Sequence, residues 1–264
     1  MSALIMGILN ATPDSFYDGN PLNTTEGLLA RAEQYIKEGA DWLDIGGEST
    51  RPGAAPVDEK TEAARVIPLV KNLHARYPQL PLSLDTTKPL VAEEGLKNGV
   101  QLLNDVSGTT SPEMLSLAKQ FNAQLVLMHA RGTPQTMQTQ TDYTDVVEDV
   151  KNGLANKISL ALQAGLHKEQ LWIDVGFGFA KTREQNYTLL KHLSRFKDLG
   201  VRMLVALSRK SFLSYPGDSP AERLPQTLAA QFSALCQGAD ALRVHDVTAA
   251  KRLVHFYQTW EQAI

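Results

Sequence analysis

Eight times along this chain a short apolar run is followed by a longer amphipathic segment, and no other feature constrains the fold as much. The strand candidates lie near residues 3–9, 41–45, 81–85, 100–104, 124–129, 170–174, 201–207 and 240–245. Helical patterns follow them at about 25–38, 58–77, 88–97, 112–119, 144–164, 183–193, 219–236 and 246–262. Strands that alternate with helices are joined by right-handed crossovers into a parallel sheet. Eight such units in 264 residues, with no long linker and no low-complexity tract, predict a (β/α)8 TIM barrel, one domain over residues 1–264. The competing arrangement is an open doubly wound sheet.

The strand ends favour the barrel. Asn10 closes the first strand, Asp44 with Glu48 the second, Asp85 the third and Asn104 the fourth. His129 closes the fifth, Asp174 the sixth, Ser208 with Lys210 the seventh, and Arg243 with His245 the eighth. Barrel active sites are built at this C-terminal face, from strand ends and the loops beyond them. One polar strand end is an ordinary meeting with water. Polar residues of reactive type at all eight point to a shared pocket.

Several groups of these residues suggest chemistry. In "LRVHDV" (242–247) Arg243 and His245 are two apart and share a face of the strand; they are either a solvated rim or a grip on an anion. Ser208 and Lys210 of "LSRKSF" have the same parity, and an anion site after strands seven and eight is frequent in such barrels. Asp85, Asn104 and Asp174 stand on separate strands. Carboxylates with an amide suit the edge of a flat heterocycle, and a metal cage or an acid/base carboxylate pair are the alternatives. Asp105 next door points the other way and supports its own loop. The loops at 10–20 and 46–57 are longer than usual connections and read as lids, with Phe16, Arg51 and Pro52 at their tips. In "DVGFGFAKT" the glycines let Phe179 approach a ligand ring, while Phe177 reads as core. Met128 fits the lining of a ring slot, and His129 reads either as a pocket residue or as a satisfied structural histidine.

Composition narrows the classes. A net charge of −3 offers no global field for nucleic acid or an acidic membrane, so an anion must be held by local cations. The one cysteine, Cys236, permits no disulfide within the chain. No apolar run reaches the roughly 18 residues of a membrane helix, and the short apolar start reads as a strand, so a cytoplasmic setting is expected. There is no P-loop, no H-E-x-x-H, no paired C-x-x-C and no G-x-S-x-G.

Taken together, "MGILNATPDSFYDG", "DIGGESTRPGAAPV", "LSLDTTKP", "LLNDVSG", "LVLMHARGTPQTMQ", "GFGFAKT", "SRKSF" and "LRVHDV" resemble the dihydropteroate synthase family. The pieces occur in the family's order and span residues 6–247. The resemblance implies a (β/α)8 barrel, usually a homodimer. The family condenses 6-hydroxymethyl-7,8-dihydropterin diphosphate with 4-aminobenzoate, releasing pyrophosphate. Carried over by motif, Asn10 would ligate Mg2+ on the diphosphate, and Asp85, Asn104, Asp174 and Lys210 would bind the pterin. Arg243 and His245, with Thr50, would grip the diphosphate; Lys210, Arg243 and His245 would be the catalytic set. Phe16, Arg51 and Pro52 would close over the site, and Phe179 with Ser208 would border the aminobenzoate slot. Val175, Ala206 and Gln226 depart from the family's usual residues. The rival readings are a methyltetrahydrofolate-binding methyltransferase barrel and a catalytically silent pterin-binding paralogue.

Overall fold

The computed structural model describes residues 3–12, 24–51, 53–108 and 110–263. Eight parallel strands close into a barrel in chain order. They are β1 (Leu4–Asn10), β2 (Trp42–Gly46), β3 (Leu82–Asp85), β4 (Leu102–Asp105), β5 (Gln124–Met128), β6 (Leu171–Asp174), β7 (Arg202–Val205) and β8 (Ala241–Val244). β1 pairs with β8 in the register Leu4 to Ala241, which completes the ring. The open sheet is excluded.

Each strand is followed by a helix: α1 (Thr25–Glu38), α2 (Glu59–Arg76), α3 (Pro89–Lys97), α4 (Pro112–Gln120), α5 (Val146–Gln163), α6 (Arg183–Lys191), α7 (Leu224–Cys236) and α8 (Val247–Gln262). The starts are set by local chemistry. Thr24 accepts from the Gly27 amide, Ser111 from Met114, and Thr182 forms a reciprocal capping box with Gln185. One helix differs from expectation. The 219–236 pattern becomes a short 3-10 turn at Ala221–Arg223 and then α7, because Pro225 suits only the first turn of a helix.

The core has two parts, dictated by strand alternation. Outward-facing residues such as Leu43, Ile45, Leu84, Leu103, Leu125 and Ile173 pack beneath the helices. Inward-facing Met6, Trp42, Leu102, Val126, Trp172, Leu204 and Ala241 form a separate apolar plug inside the barrel. Trp172 can sit there because its indole N–H donates to the Gln124 side chain at 2.7 Å. The plug is the floor on which the polar residues stand.

Candidate active site

Two residues beyond the plug, on several strands, the barrel interior changes character. Trp42 is followed on the same face by Asp44, Leu102 by Asn104, Val126 by Met128, Trp172 by Asp174 and Ala241 by Arg243. The Asp44 carboxylate, fully buried, is the centre of this layer. It accepts from the Ser83 hydroxyl, from Asn104 Nδ2 at 3.2 Å and from Arg243 Nε at 2.6 Å. Arg243 Nη2 donates to Asp85 at 2.6 Å. One guanidinium therefore bridges carboxylates of two strands on the far side of the barrel closure.

The charges in this layer are held against desolvation. Burial raises the Asp85 carboxyl to about 7; Arg243 works against that rise and Asp44 adds to it. Burial disfavours the Arg243 cation too, but Asp44 and Asp85 more than offset it and hold the guanidinium charged. Asp174 is raised by burial and drawn back by Lys210. Its Oδ1 accepts the Gly176 amide at 2.7 Å. Burial brings Lys210 down to about 8, opposed by Asp174. Its ammonium donates to the Phe177 carbonyl and lies 4.7 Å from the centre of the Phe179 ring.

At the mouth, Ser208 Oγ lies 3.1 Å from His245 Nδ1 and accepts the His245 backbone amide at 3.3 Å. A hydroxyl has one proton and two lone pairs, so either tautomer satisfies the contact; where Ser208 donates to Nδ1, the neutral His245 carries its own proton on Nε2. Burial, Arg243 and Arg209 lower His245 to about 3, which keeps it neutral. Tyr35 of α1 donates to the His245 carbonyl at 2.9 Å and fixes the backbone. Behind it, Arg209 adopts φ +58, and its Nε donates to Asp246 at 2.8 Å. That left-handed residue turns the chain so that both Ser208 and Lys210 reach inward. Asn10, Arg51, Arg209 and His245 line a cavity of about 970 Å3 that runs out between α1 and α8.

The second loop is anchored from below. Glu48 accepts the Val57 amide at 2.7 Å and Lys88 Nζ at 2.7 Å, and Lys88 also binds the buried Glu62. Its tip rests on the loop after β5, with the Gly53 amide 3.0 Å from the Pro134 carbonyl.

Most of the predicted residues converge. Asp85, Asn104, Asp174, Arg243 and Lys210 share the polar layer, with Met128 buried beside Asp174 in register. Asn10, Ser208 and His245 stand above, and Thr50 and Arg51 sit in the second loop. Phe16 and Pro52 lie outside the described residues. Phe177 is core, stacked on Phe212 at 5.8 Å between centroids. Asp105 supports its loop by accepting the Ser107 amide at 2.9 Å. His129 is buried, and its Nδ1 lies 3.2 Å from Lys181 Nζ, the structural alternative. Two participants escaped the motif reading: Asp44, seen only as a strand end, and Lys181. Their signal was parity with the apolar plug for Asp44, and none for Lys181.

A metal would have to be held sparingly. Among the described residues no three His, Cys, Asp or Glu side chains cluster as a metal cage. Asn10, whose side chain carries a hard amide oxygen, lines the same cavity as His245 and Arg51. One protein oxygen beside an anion site fits an ion such as Mg2+, which keeps most of its coordination in water and phosphate.

A closed barrel with an acid and amide layer under a donor-rich mouth is the architecture of a pterin-binding enzyme, and the sequence profile of that family matches residues 6–245. The dihydropteroate synthase of Synechocystis is 44% identical over 252 residues, 94% of this chain and 87% of that protein. The Yersinia pestis dihydropteroate synthase, solved in a sulfonamide drug complex, superposes with a TM-score of 0.94 at 38% identity, covering 99% of this chain and 95% of its own. The Xanthomonas albilineans enzyme in complex with 7,8-dihydropteroate gives 0.89 at 37% identity, over 100% and 95% of the two chains. The chain belongs to the dihydropteroate synthases, a family of transferases. Among the described residues no helix is long and apolar enough to cross a membrane.

Proposed function

We propose that this chain joins 6-hydroxymethyl-7,8-dihydropterin diphosphate to 4-aminobenzoate, giving 7,8-dihydropteroate and pyrophosphate. The observation that carries this reading is the order of layers along the barrel axis. A ring-edge set of carboxylates, amide and ammonium lies deep, and donors suited to an anion lie above it. That order matches a molecule with a flat polar ring at one end and a diphosphate at the other. The chain works as one barrel domain over residues 1–264.

Asp85, Asn104, Asp174 and Lys210 bind the pterin. His245 through Nε2–H and Thr50 meet the diphosphate from the mouth, and Arg243, whose Nε and Nη2 are held by Asp44 and Asp85, meets it from the deep layer with its other amino group. The bond between the exocyclic methylene carbon and oxygen breaks, and its electron pair leaves with pyrophosphate. Positive charge spreads into the ring, where the Asp85 and Asp174 carboxylates face it. The arylamine nitrogen, already a free nucleophile, bonds to that carbon and releases a proton to solvent. No covalent bond to the protein forms. Asn10 would hold Mg2+, which supplies positive charge to the diphosphate. Phe179 and Ser208 border the aminobenzoate slot, with Met128 on the ring side, and Arg51 of the second loop faces it.

We place the protein in the cytoplasm as a homodimer. Phe256 and Trp260 of α8 are 57% and 53% exposed and lie against Phe232 of α7 at 5.7 and 5.5 Å. An aromatic face of this kind is an interface signature.

The test is pyrophosphate release from the pterin diphosphate and Mg2+, with and without 4-aminobenzoate. Wild type releases it coupled to dihydropteroate formation, and Arg243→Ala loses most of this. Because that variant strands the Asp44 and Asp85 carboxylates, at a cost of about 3–5 kcal/mol, His245→Phe, which keeps a ring but no N–H, serves beside it. Its loss of a leaving-group donor lowers kcat roughly 100-fold. Tight pterin binding without release would show a barrel that kept its pocket and not its reaction.

A further inference from the structure

Lys181 lies just before the N-cap of α6, in no role that the reaction above requires. Its side chain is 3% exposed. Its Nζ is 3.0 Å from the Gly176 carbonyl, 2.9 Å from the Phe179 carbonyl and 3.2 Å from His129 Nδ1, with the His129 carbonyl at 3.5 Å. An ammonium has three donors and no lone pair, and here every neighbour is an acceptor. Burial and the nearby Lys181 push His129 down to about 3, so the imidazole is neutral and its Nδ1 is free to accept.

The turn held in this way is the one that carries Phe179. Gly176 and Gly178 have φ +70 and +79, and Ala180, with a side chain, has φ +51. Each carbonyl of the turn is taken by a side chain: Gly176 and Phe179 by Lys181, Phe177 by Lys210, Gly178 by Gln138 at 3.2 Å. A turn in this strained conformation persists only where its surroundings over-determine it. Lys181 is the cationic part of those surroundings. The charged or titratable groups facing it are Asp174 of β6, His129 and Arg131 beyond β5, and Lys210 beyond β7.

Building on the proposed condensation, we propose that Lys181 is a positioning residue for the second substrate. It ties the 176–179 turn to His129 and thereby sets where Phe179 stands against the arylamine. Pterin contacts through Asp85 and Asn104 do not pass through this tie, and Asp174 touches it only at the Gly176 amide. Burial draws Lys181 to about 7, with Asp174 opposing, so the tie is intact at pH 6.5 and weakened at pH 8.5.

The experiment compares wild type, Lys181→Met and Lys181→Arg at both pH values. It reads kcat, the arylamine KM, and the calorimetric Kd for the pterin diphosphate. At pH 6.5 Lys181→Met raises the arylamine KM about fivefold to tenfold, the effect of about one lost hydrogen bond. The affinity for the pterin diphosphate changes less, and Lys181→Arg restores part of the loss. Asp85 and Lys210 titrate in the same window and move all three proteins alike, so the reading is the difference: at pH 8.5 the arylamine KM of wild type, relative to Lys181→Arg, moves toward that of Lys181→Met. Should Lys181→Met fail to fold, the arginine variant and the wild-type pH shift decide.

A loss in Lys181→Met shared equally by both substrates and kcat would overturn the proposal, as would no loss. If wild type binds the pterin diphosphate but releases no pyrophosphate, the condensation falls. Lys181 is then judged by how tightly the pterin-loaded protein binds the arylamine. If wild type does not bind the pterin diphosphate, both fall.

Discussion

At the residue scale the site rests on buried charges that are costly alone and stable in company. Asp44 is the clearest case, since it is satisfied by Ser83, Asn104 and Arg243 at once. Asp85 has only Arg243 among these, and its carboxyl is raised from 3.8 to about 7. Between pH 4 and pH 7 the folded protein therefore holds a proton that the unfolded chain has released, and stability falls as pH rises through that window. Activity runs the other way, because the ionised carboxylate is the form that faces a growing cation. We expect kcat/KM to decline below about pH 7. Asp85→Asn should lose that acid limb along with most activity, and its melting temperature should gain on wild type between pH 5.5 and pH 7.5. Parallel pH dependence of the two melting curves would refute this account of Asp85.

At the element scale, the loops after β6 and β7 do the fine placement. Gly176 is an example of a glycine demanded by contact as well as by conformation. A Cβ there would lie 1.9 Å from the His129 carbonyl oxygen, at φ +70. Gly217 also has positive φ, +96, but nothing within 4 Å. Gly176→Ala should cost roughly 3 kcal/mol or more and weaken pterin binding, since Asp174 Oδ1 holds the Gly176 amide. Gly217→Ala should cost about 1 kcal/mol and leave binding unchanged. Thermal unfolding and calorimetric titration of the two variants separate these expectations; equal losses would mean that the clash is relieved cheaply.

For the whole molecule, closure of the barrel is what makes one site from eight strand ends. Residues 199 positions apart, Asp44 and Arg243, become hydrogen-bonded partners because β1 pairs with both β2 and β8. The opposite concern is the outer surface. If α7 and α8 form the interface of the proposed homodimer, Trp260→Glu places a charge in its apolar centre. Sedimentation velocity should then show a dimer for wild type and a monomer for the variant, with the melting temperature otherwise little changed. A monomeric wild type would overturn the assembly.

Much of this was legible in the chain itself. The eight alternations named the barrel, and α1 spans the predicted 25–38 without adjustment. Strand parity put Arg243 on the inward side, since neighbouring side chains on a strand alternate faces; His245 lies just past β8, and Ser208 and Lys210 lie past β7, where the left-handed Arg209 brings them to one side. Parity fixes the face and not the partner across the barrel. That is why the bridge from Arg243 to Asp44 and Asp85, the Ser208–His245 hydrogen bond and the burial of Lys181 under its own turn were not readable in advance. The later start of α7 was missed for a local reason, because an amphipathic pattern does not register where a proline allows a helix to begin. Sequence determined which residues point inward and which chemistry they carry. Tertiary closure alone decided which charges meet, because the energy of a buried ion depends on partners that only the closed ring brings within reach.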